Sequence, residues 1–277
     1  MIKKLLILLL LSSVSWGQQS GIKPTLGRQI NWSHPLSRGL VGCWLMNEGG
    51  GTIVNDMSGN GNTGTLIGTA PSWIGGKYGP AVSLPATGDE GINLGYRTLQ
   101  STSFTVVLWI YQRGDINTST YKRIFDAGSD DGTKGWYWAY RYDYMYAISR
   151  SGGTTLSWSV PATMRENSGW YQLIFSVNPS GIASMYVNTA LVDSDTGWTP
   201  VYNNIDFCIG IQYNLTDEND IIIDNALFYN RALNPSEIAE LYRNSFGMFK
   251  PSFDLYLIGG IVIPGVSGGQ VIMIGEL

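Results

Sequence analysis

The chain has 277 residues, with 35 Gly, 11 Pro, 10 Trp and 16 Tyr against only 14% charged residues. This composition describes a turn-rich, strand-rich protein with a well-supplied apolar core and excludes disorder for most of its length. A formal charge of −4 and the lack of any Lys/Arg cluster beyond Lys3-Lys4 remove the electrostatic basis for binding nucleic acid or anionic lipid.

The opening MIKKLLILLLLSSVSWGQQS sets two lysines before the apolar run Leu5 to Leu11, then small residues at Ser15 and Gly17. This pattern predicts a secretory signal over 1–17, a mature start near Gln18 and export to the extracellular space or the periplasm. Residues 18–38 are polar and irregular, with Pro24 and Pro35, and read as an N-terminal arm.

From there the chain falls into short runs of β character. They are GLVGCWLM (39–46), TGTLI (63–67), AVSL (81–84), SFTVVLWIY (103–111) and RIFDAG (123–128), then TTLSWSV (154–160), WYQLIFSVN (170–178), IASMYVN (182–188), DFCIGI (206–211) and DIIIDNALFY (220–229). Clusters of Gly, Asn, Asp and Ser separate them at the intervals of antiparallel sheets joined by turns. With no long amphipathic helix between strands, a parallel βαβ architecture is excluded, and the fold class is all-β, a two-sheet antiparallel sandwich. The two cysteines, Cys43 and Cys208, both fall inside strand-like runs. In an oxidising compartment they are a candidate disulfide, and buried thiols are the alternative.

Between the fifth and sixth of these runs, GWYWAYRYDYMYAIS (135–149) places an aromatic ring on every second position. Sixteen residues from Gly135 to Arg150 exceed an ordinary strand, so a hairpin bend at Tyr142-Asp143 is expected. A two-residue turn there opposes Tyr140 to Met145 and Trp138 to Ala147. It leaves Trp136, Trp138 and Tyr140 on one face and Tyr144 and Tyr146 on the other. Flat rings suit stacking on sugar, which makes Trp136, Trp138 and Tyr140 the candidate ligand-binding residues; aromatic residues also simply fill sheet interiors. Burying every tyrosine hydroxyl would cost about 1–3 kcal/mol for each left unpaired, so some rings are expected to reach the surface.

One short packing helix is legible in NPSEIAELYRN (234–244). Asn234 suits the cap, Pro235 the first helical position and Glu237 the capping box, with Ile238, Leu241 and Tyr242 on one face. Beyond Phe249, Leu255 to Gly275 carries no charge but is punctuated by glycines. Such a tail (250–277) makes a poor membrane helix, so membrane insertion is not expected; docking on a protein partner, or extra strands, is.

GLVGCWLMNEGGGTIVNDMSGNGNTGTL (39–66) and DNALFYNRALNPSEIAELY (224–242) resemble the opening and closing motifs of laminin-G-like jelly-roll domains of the concanavalin-A-like lectin and glucanase superfamily. The two motifs bracket a domain over 39–249. The resemblance implies a jelly roll of two curved antiparallel sheets and a function that is mostly binding, of glycans or of protein surfaces. LYRNSFGMFKPS (241–252) also resembles the end of such domains in phage and environmental viral sequences, which makes a virion surface the alternative location. Laminin-G-like and pentraxin-like jelly rolls often bind calcium, and NDMSGNGN supplies Asp56, Asn60 and Asn62 as candidate ligands for Ca²⁺. The same residue types also close Asx turns on their own backbone, so no cofactor is certain. TGDEGINLG (87–95) departs from the family pattern, and no site is carried onto Asp89 or Glu90.

Hydrolysis of a glycan needs two carboxylates, and the nearest match is Glu218 with Asp220 in LTDENDIII. Their polar surroundings lack what raises the pKa of a general acid and predict a solvated loop. The one histidine, His34, lies in the arm, and no phosphate-binding loop is present. The leading expectation is a secreted, non-catalytic recognition module for carbohydrate or a surface glycoconjugate. A structural or virion-decorating scaffold docked through its tail is the alternative, and a divergent glycan hydrolase the weaker one.

Overall fold

The computed structural model describes residues 21–95, 102–128, 135–150, 155–164, 167, 169–198, 207–212 and 214–250, with the strand backbone of 255–258 and 261–264. The expected signal segment 1–17, and all of the tail beyond Lys250 except those two strands, lie outside the described residues.

The strands are β1 (Leu40–Trp44), β2 (Ile53–Val54), β3 (Gly64–Ile67), β4 (Ser72–Gly75), β5 (Pro80–Leu84), β6 (Gly91–Asn93), β7 (Phe104–Gln112), β8 (Lys122–Gly128) and β9 (Gly135–Arg141). They continue with β10 (Tyr144–Ser149), β11 (Thr155–Ser159), β12 (Trp170–Val177), β13 (Ala183–Val187), β14 (Ala190–Asp195), β15 (Cys208–Ile209) and β16 (Ile221–Tyr229), then helix α1 (Pro235–Arg243) and a hairpin of β17 (Leu255–Ile258) and β18 (Ile261–Pro264). The first sheet runs β14-β13-β12-β7-β16-β5-β4, with β1 also on β16, and the second runs β11-β10-β9-β8-β15-β6-β3-β2. The pairings are antiparallel, and the architecture is the expected jelly-roll sandwich.

Strands β7 and β16 lie at the centre of the first sheet and read as nearly continuous apolar runs because both of their faces are covered. Phe104, Val106, Leu108 and Ile110 of β7 join Ile221, Ile223, Ala226 and Phe228 of β16 in the core between the sheets. The opposite parity, Val107 with Leu227 and Tyr229, packs with Ile238 and Leu241 of α1 in an outer apolar layer. The helix covers that layer because its cap is complete: Asn234 Oδ1 accepts from Glu237 N, and the Glu237 carboxylate accepts from Asn234 N. Arg231 holds the same carboxylate through two 2.8 Å contacts. Tyr242 lays its ring on Trp109, with centroids 5.5 Å apart.

The arm takes part in this outer layer. Ile30 bridges to Phe249 and is buried with Leu36 among the residues beneath α1. Lys23 inserts its ammonium against the Pro80 carbonyl, the Asp224 carbonyl at 2.6 Å and the Asp224 carboxylate at 3.2 Å. Asp224 completes the clamp by accepting from Tyr78 N.

The candidate disulfide does not form, and both cysteines are buried thiols. Cys43, on β1 of the first sheet, points into the outer layer beneath α1, whereas Cys208 sits on β15 of the second sheet. With its neighbour Trp44 turned into the sandwich, alternation points Cys43 away from the second sheet. Burial pushes the Cys43 thiol well above its ordinary pKa, which keeps it neutral and unreactive.

Candidate functional site

The hairpin of β9 and β10 has the expected register, with Tyr140 opposite Met145 and Trp138 opposite Ala147. Its two turn residues, Tyr142 (φ 50°) and Asp143 (φ 63°), both occupy the left-handed region that a two-residue hairpin turn with right-handed strand twist requires. The inward face carries Trp136, Trp138 and Tyr140, which are 0%, 0% and 2% exposed. Trp136 stacks on Phe104 and Phe125, and Trp138 tilts against Phe175. These rings offer no open face to a sugar, which corrects the expectation that they form the binding platform. A sheet inside a sandwich buries one parity completely, and here the tryptophans take it.

The other parity builds a different surface. Directly opposed residues of an antiparallel pair share a face, so Tyr144 lies beside Arg141, Tyr146 beside Ala139 and Ile148 beside Tyr137. On β8 a bulge between Arg123 and Phe125 lets Ile124 and Phe125 both enter the core while Arg123 and Asp126 face outward. Tyr121, just before β8, meets Tyr137 edge-on at 5.4 Å and Tyr146 at 6.0 Å. Tyr144 and Tyr146 are 5.9 Å apart. Tyr142 and Tyr144 remain 49% and 41% exposed, and the Arg141 guanidinium lies 4.8 Å from the Tyr121 ring and 4.7 Å from the Tyr142 ring.

A buried ionic layer supports this surface. Asp126, fully buried, accepts from Arg150 Nη2 at 2.9 Å and from Gly128 N, with Arg123 Nε at 3.4 Å. Burial pushes the Asp126 carboxyl above its ordinary pKa, and the Arg150 and Arg123 guanidiniums pull it back. Arg123 also reaches Asp217 at 3.0 Å and Gln212 Oε1 at 2.5 Å, and its guanidinium stacks 3.8 Å from the Tyr137 ring. Arg150 passes over Gly128, where a β-carbon would collide with its guanidinium. Burial pushes the Tyr137 hydroxyl up to about 12, and burial followed by the neighbouring Tyr121 raises Tyr146. Both phenols are neutral donors and acceptors at ordinary pH.

The candidate calcium loop is a hydrogen-bond clip. The Asp56 carboxylate accepts from Cys43 N, Ser58 N, Ser58 Oγ and Asn62 N at 2.7–3.0 Å. Asn60 and Asn62 turn their Nδ2 donors onto Val41 O. The carboxylate lone pairs are committed to the protein and the two amides present N–H, so the residues do not fit a calcium site and the expectation for Asp56, Asn60 and Asn62 is corrected to the Asx-turn alternative. Among the described residues no group of three His, Cys, Asp or Glu side chains is arranged to hold a metal ion. His34 caps a short 3₁₀ turn, its Nδ1 accepting from Leu36 N. Glu218 and Asp220 lie in a loop, and Asp220 is paired with Arg113 at 2.5 Å.

A concavity of about 270 Å³ lies on the outside of the first sheet, lined by Ser176, Asn178, Ser184, Tyr186, Leu233 and Asn234. Much of its polar lining is already engaged. Ser176 bonds Thr105, Ser184 bonds Ser194, Asn178 Oδ1 accepts from two backbone N–H groups, and Asn234 Oδ1 caps α1. The tyrosine and arginine face of the second sheet, by contrast, presents the exposed rings of Tyr142 and Tyr144. The signal for it in the sequence was the parity of Arg141: a charged residue at the same parity as Tyr137 marks the solvent side of β9.

Residues 86–239, more than half of the chain, match the protein family described as the concanavalin A-like lectin/glucanases superfamily. No curated protein sequence matches the chain significantly. Among solved structures, the binding domain of Paraclostridial Mosquitocidal Protein 1 aligns with TM-score 0.63 and 19% identity over 76% of this chain and 53% of that one. The binding domain of botulinum neurotoxin DC, solved in complex with SialylT, aligns with TM-score 0.61 and 15% identity over 75% and 52%. Domain 4 of AbnA, a GH43 extracellular arabinanase from Geobacillus stearothermophilus, solved in complex with arabinotriose, aligns with TM-score 0.57 and 21% identity over 73% of this chain and 98% of that domain. The chain thus spans about half the length of the toxin binding domains and nearly all of the arabinanase domain. At these identities the likeness is one of fold. With the sandwich, the capped helix and the matched residues together, the chain belongs to the concanavalin A-like lectin/glucanase superfamily, as a laminin-G-like jelly roll.

Proposed function

We propose that this protein is an exported, non-catalytic module that recognises carbohydrate through the outer face of its second sheet. The observation that carries the reading is the set of partly exposed rings of Tyr121, Tyr142, Tyr144 and Tyr146 around Arg141, fixed from below by the Arg123–Asp126–Arg150 layer. Tyrosines combine a flat apolar face with a hydroxyl, which suits them to the alternating C–H and O–H surface of a pyranose. The fold-level likeness to binding domains solved with arabinotriose and with SialylT adds an analogy of architecture. Export rests on the Lys3-Lys4 and Leu5–Leu11 pattern, and the commitment of Asp220 to Arg113 favours a non-catalytic role.

A glycan array probed with the exported protein tests the reading. Binding that is lost in Tyr142→Ala/Tyr144→Ala while the melting temperature holds supports it. Retention of the same binding in that variant, or release of reducing sugar from a bound glycan, overturns it.

A further inference from the structure

We infer that the saccharide taken by this face carries a carboxylate, and that Arg141 is the group that receives it; the inference rests on the carbohydrate-binding reading above. Among the described residues the outer face of β8, β9 and β10 holds the guanidiniums of Arg123, Arg141 and Arg150, in different settings. Arg123 and Arg150, with side chains only 5% and 7% exposed, are both committed to the buried Asp126, and Arg123 also to Asp217. They are structural cations. Elsewhere Arg113 is paired with Asp220, Arg231 with Glu237 and Arg243 with Glu240.

Arg141 is held without being neutralised. Its Nε donates to the Ser119 carbonyl at 2.9 Å, and the rings of Tyr121 and Tyr142 flank it at 4.8 and 4.7 Å. Among the described residues none of its nitrogens has a carboxylate within ion-pair distance. Nε anchored to a neutral oxygen, two flanking rings and side-chain hydrogen bonds to Tyr121 and Tyr142 fix the orientation of the guanidinium, and every one of these partners is uncharged. A guanidinium whose charge is not neutralised by the protein is the planar, forked group that pairs a carboxylate through parallel hydrogen bonds. Because the anchoring contacts exist before any ligand arrives, less side-chain entropy is lost on binding. A chain with 21 acidic residues against 17 basic ones gains no general attraction for polyanions, so a preference for a charged sugar is assigned to a local contact, here Arg141.

The test uses matched polymers that differ only in the charge of the carboxyl group: polygalacturonate against its methyl ester, and hyaluronan against its methyl ester, with κ-carrageenan as the sulfated arm. The expected result is binding about tenfold tighter to a free-acid form than to its ester at low salt, the scale of one hydrogen-bonded charge contact. That difference should shrink in 0.5 M NaCl, where exposed charges are screened. Arg141→Gln, whose side chain is on the surface, should bring acid and ester within about twofold of each other at an unchanged melting temperature, and Arg141→Lys should restore only part of the preference because it lacks the fork.

Equal binding to acid and ester, or binding confined to neutral glycans, overturns the inference and leaves carbohydrate recognition standing. Tighter binding to carrageenan than to either free acid overturns the choice of carboxylate. No binding to any polymer, charged or neutral, overturns the inference together with the reading it rests on.

Discussion

Trp136 and Phe104 stack across the sandwich, with ring centroids 5.0 Å apart and planes 22° from parallel. One strand position further along the same face, Trp138 packs on Phe175 at 6.1 Å. Both contacts join β9 of the second sheet to the first, so these rings hold the layers together. Trp138→Ala would leave a cavity in a closed interior and should cost about 3–5 kcal/mol. In a domain of this size that is a fall in melting temperature of roughly 10 °C or more. Glycan affinity, measured below the transition on the folded fraction, should stay within about twofold of the parent, because the ring never reaches the outer face. A near-normal melt with lost binding would return Trp138 to the ligand site.

The turn at Tyr142 should show a trade of stability against binding. A tyrosine at φ 50° occupies a region that costs an ordinary L residue on the order of 1 kcal/mol, and asparagine is the side chain that tolerates it best short of glycine. Tyr142→Asn should therefore raise stability by about 0.5–1 kcal/mol in urea titrations. The same change removes a ring that is 49% exposed and flanks Arg141, so affinity for the bound glycan should fall several-fold. A variant that is both more stable and an equally good binder would show that the ring is decoration on a strained turn.

How far the sequence could be read follows from what each feature depends on. The hairpin pairing of Tyr140 with Met145 depends on period-two alternation and a two-residue turn, both local, and the structure has that register. The capping box at Asn234 and Glu237 is equally local. Strands β2, β4, β6 and β14 had no such signature. Ile53–Val54 and Gly91–Asn93 are too short to alternate, and Ala190–Asp195 is a polar edge strand whose pairing is set by its neighbour β13. Alternation also divides rings into two faces without saying which is buried. The flat rings that suit a sugar platform and those that fill a sheet interior are the same residue types, and the large apolar area of tryptophan takes Trp136 and Trp138 into the core. The outer site joins Tyr121, Arg123, Asp126, Tyr137, Arg141, Tyr146 and Arg150 from three strands, and a bulge at Ile124 that no local pattern announces decides which way Asp126 points.

Asp56 should prove a stability residue independent of calcium. Its carboxylate accepts four protein hydrogen bonds that tie the loop after β2 to β1. Asp56→Ala strips the acceptor from buried N–H groups, at a cost of about 2–3 kcal/mol in chemical denaturation. The parent should unfold at the same urea midpoint in EDTA and in millimolar Ca²⁺. A calcium-dependent midpoint that Asp56→Ala abolishes would restore the loop as a metal site.

The pH dependence of stability should turn on Lys23 acting in one direction and Cys43 and the buried tyrosines acting in the other. Burial lowers the Lys23 pKa from 10.5 to about 8, against the opposing pull of Asp224. Between these two values the unfolded chain binds the proton more tightly than the folded one, so stability rises with pH across that interval. Below about pH 8 both states hold the proton and this residue contributes no slope. Burial raises the tyrosines: Tyr137 to about 12, and Tyr140 and Tyr229 further in the same direction. The unfolded chain loses these phenolic protons near pH 10 while the folded protein keeps them, so stability falls above pH 10. Burial also raises the Cys43 thiol well above its ordinary 9.0, so the unfolded chain gives up that proton first and stability loses slope above pH 9. Urea unfolding at pH 7, 8, 9, 10 and 11 should therefore give a free energy that is level to pH 8, climbs by on the order of 1 kcal/mol to pH 9, stays roughly level to pH 10 where Lys23 and Cys43 oppose each other, and then declines. Lys23→Met should remove the climb and keep the decline. The level of that variant at pH 7 will also reflect the loss of a cation beside buried Asp224, which is why the slope between pH 8 and 9 is the quantity to compare. A climb that survives in Lys23→Met would assign it to another group, and a parent curve that is flat from pH 7 to 10 would mean that the arm does not bury its ammonium against Asp224 in solution.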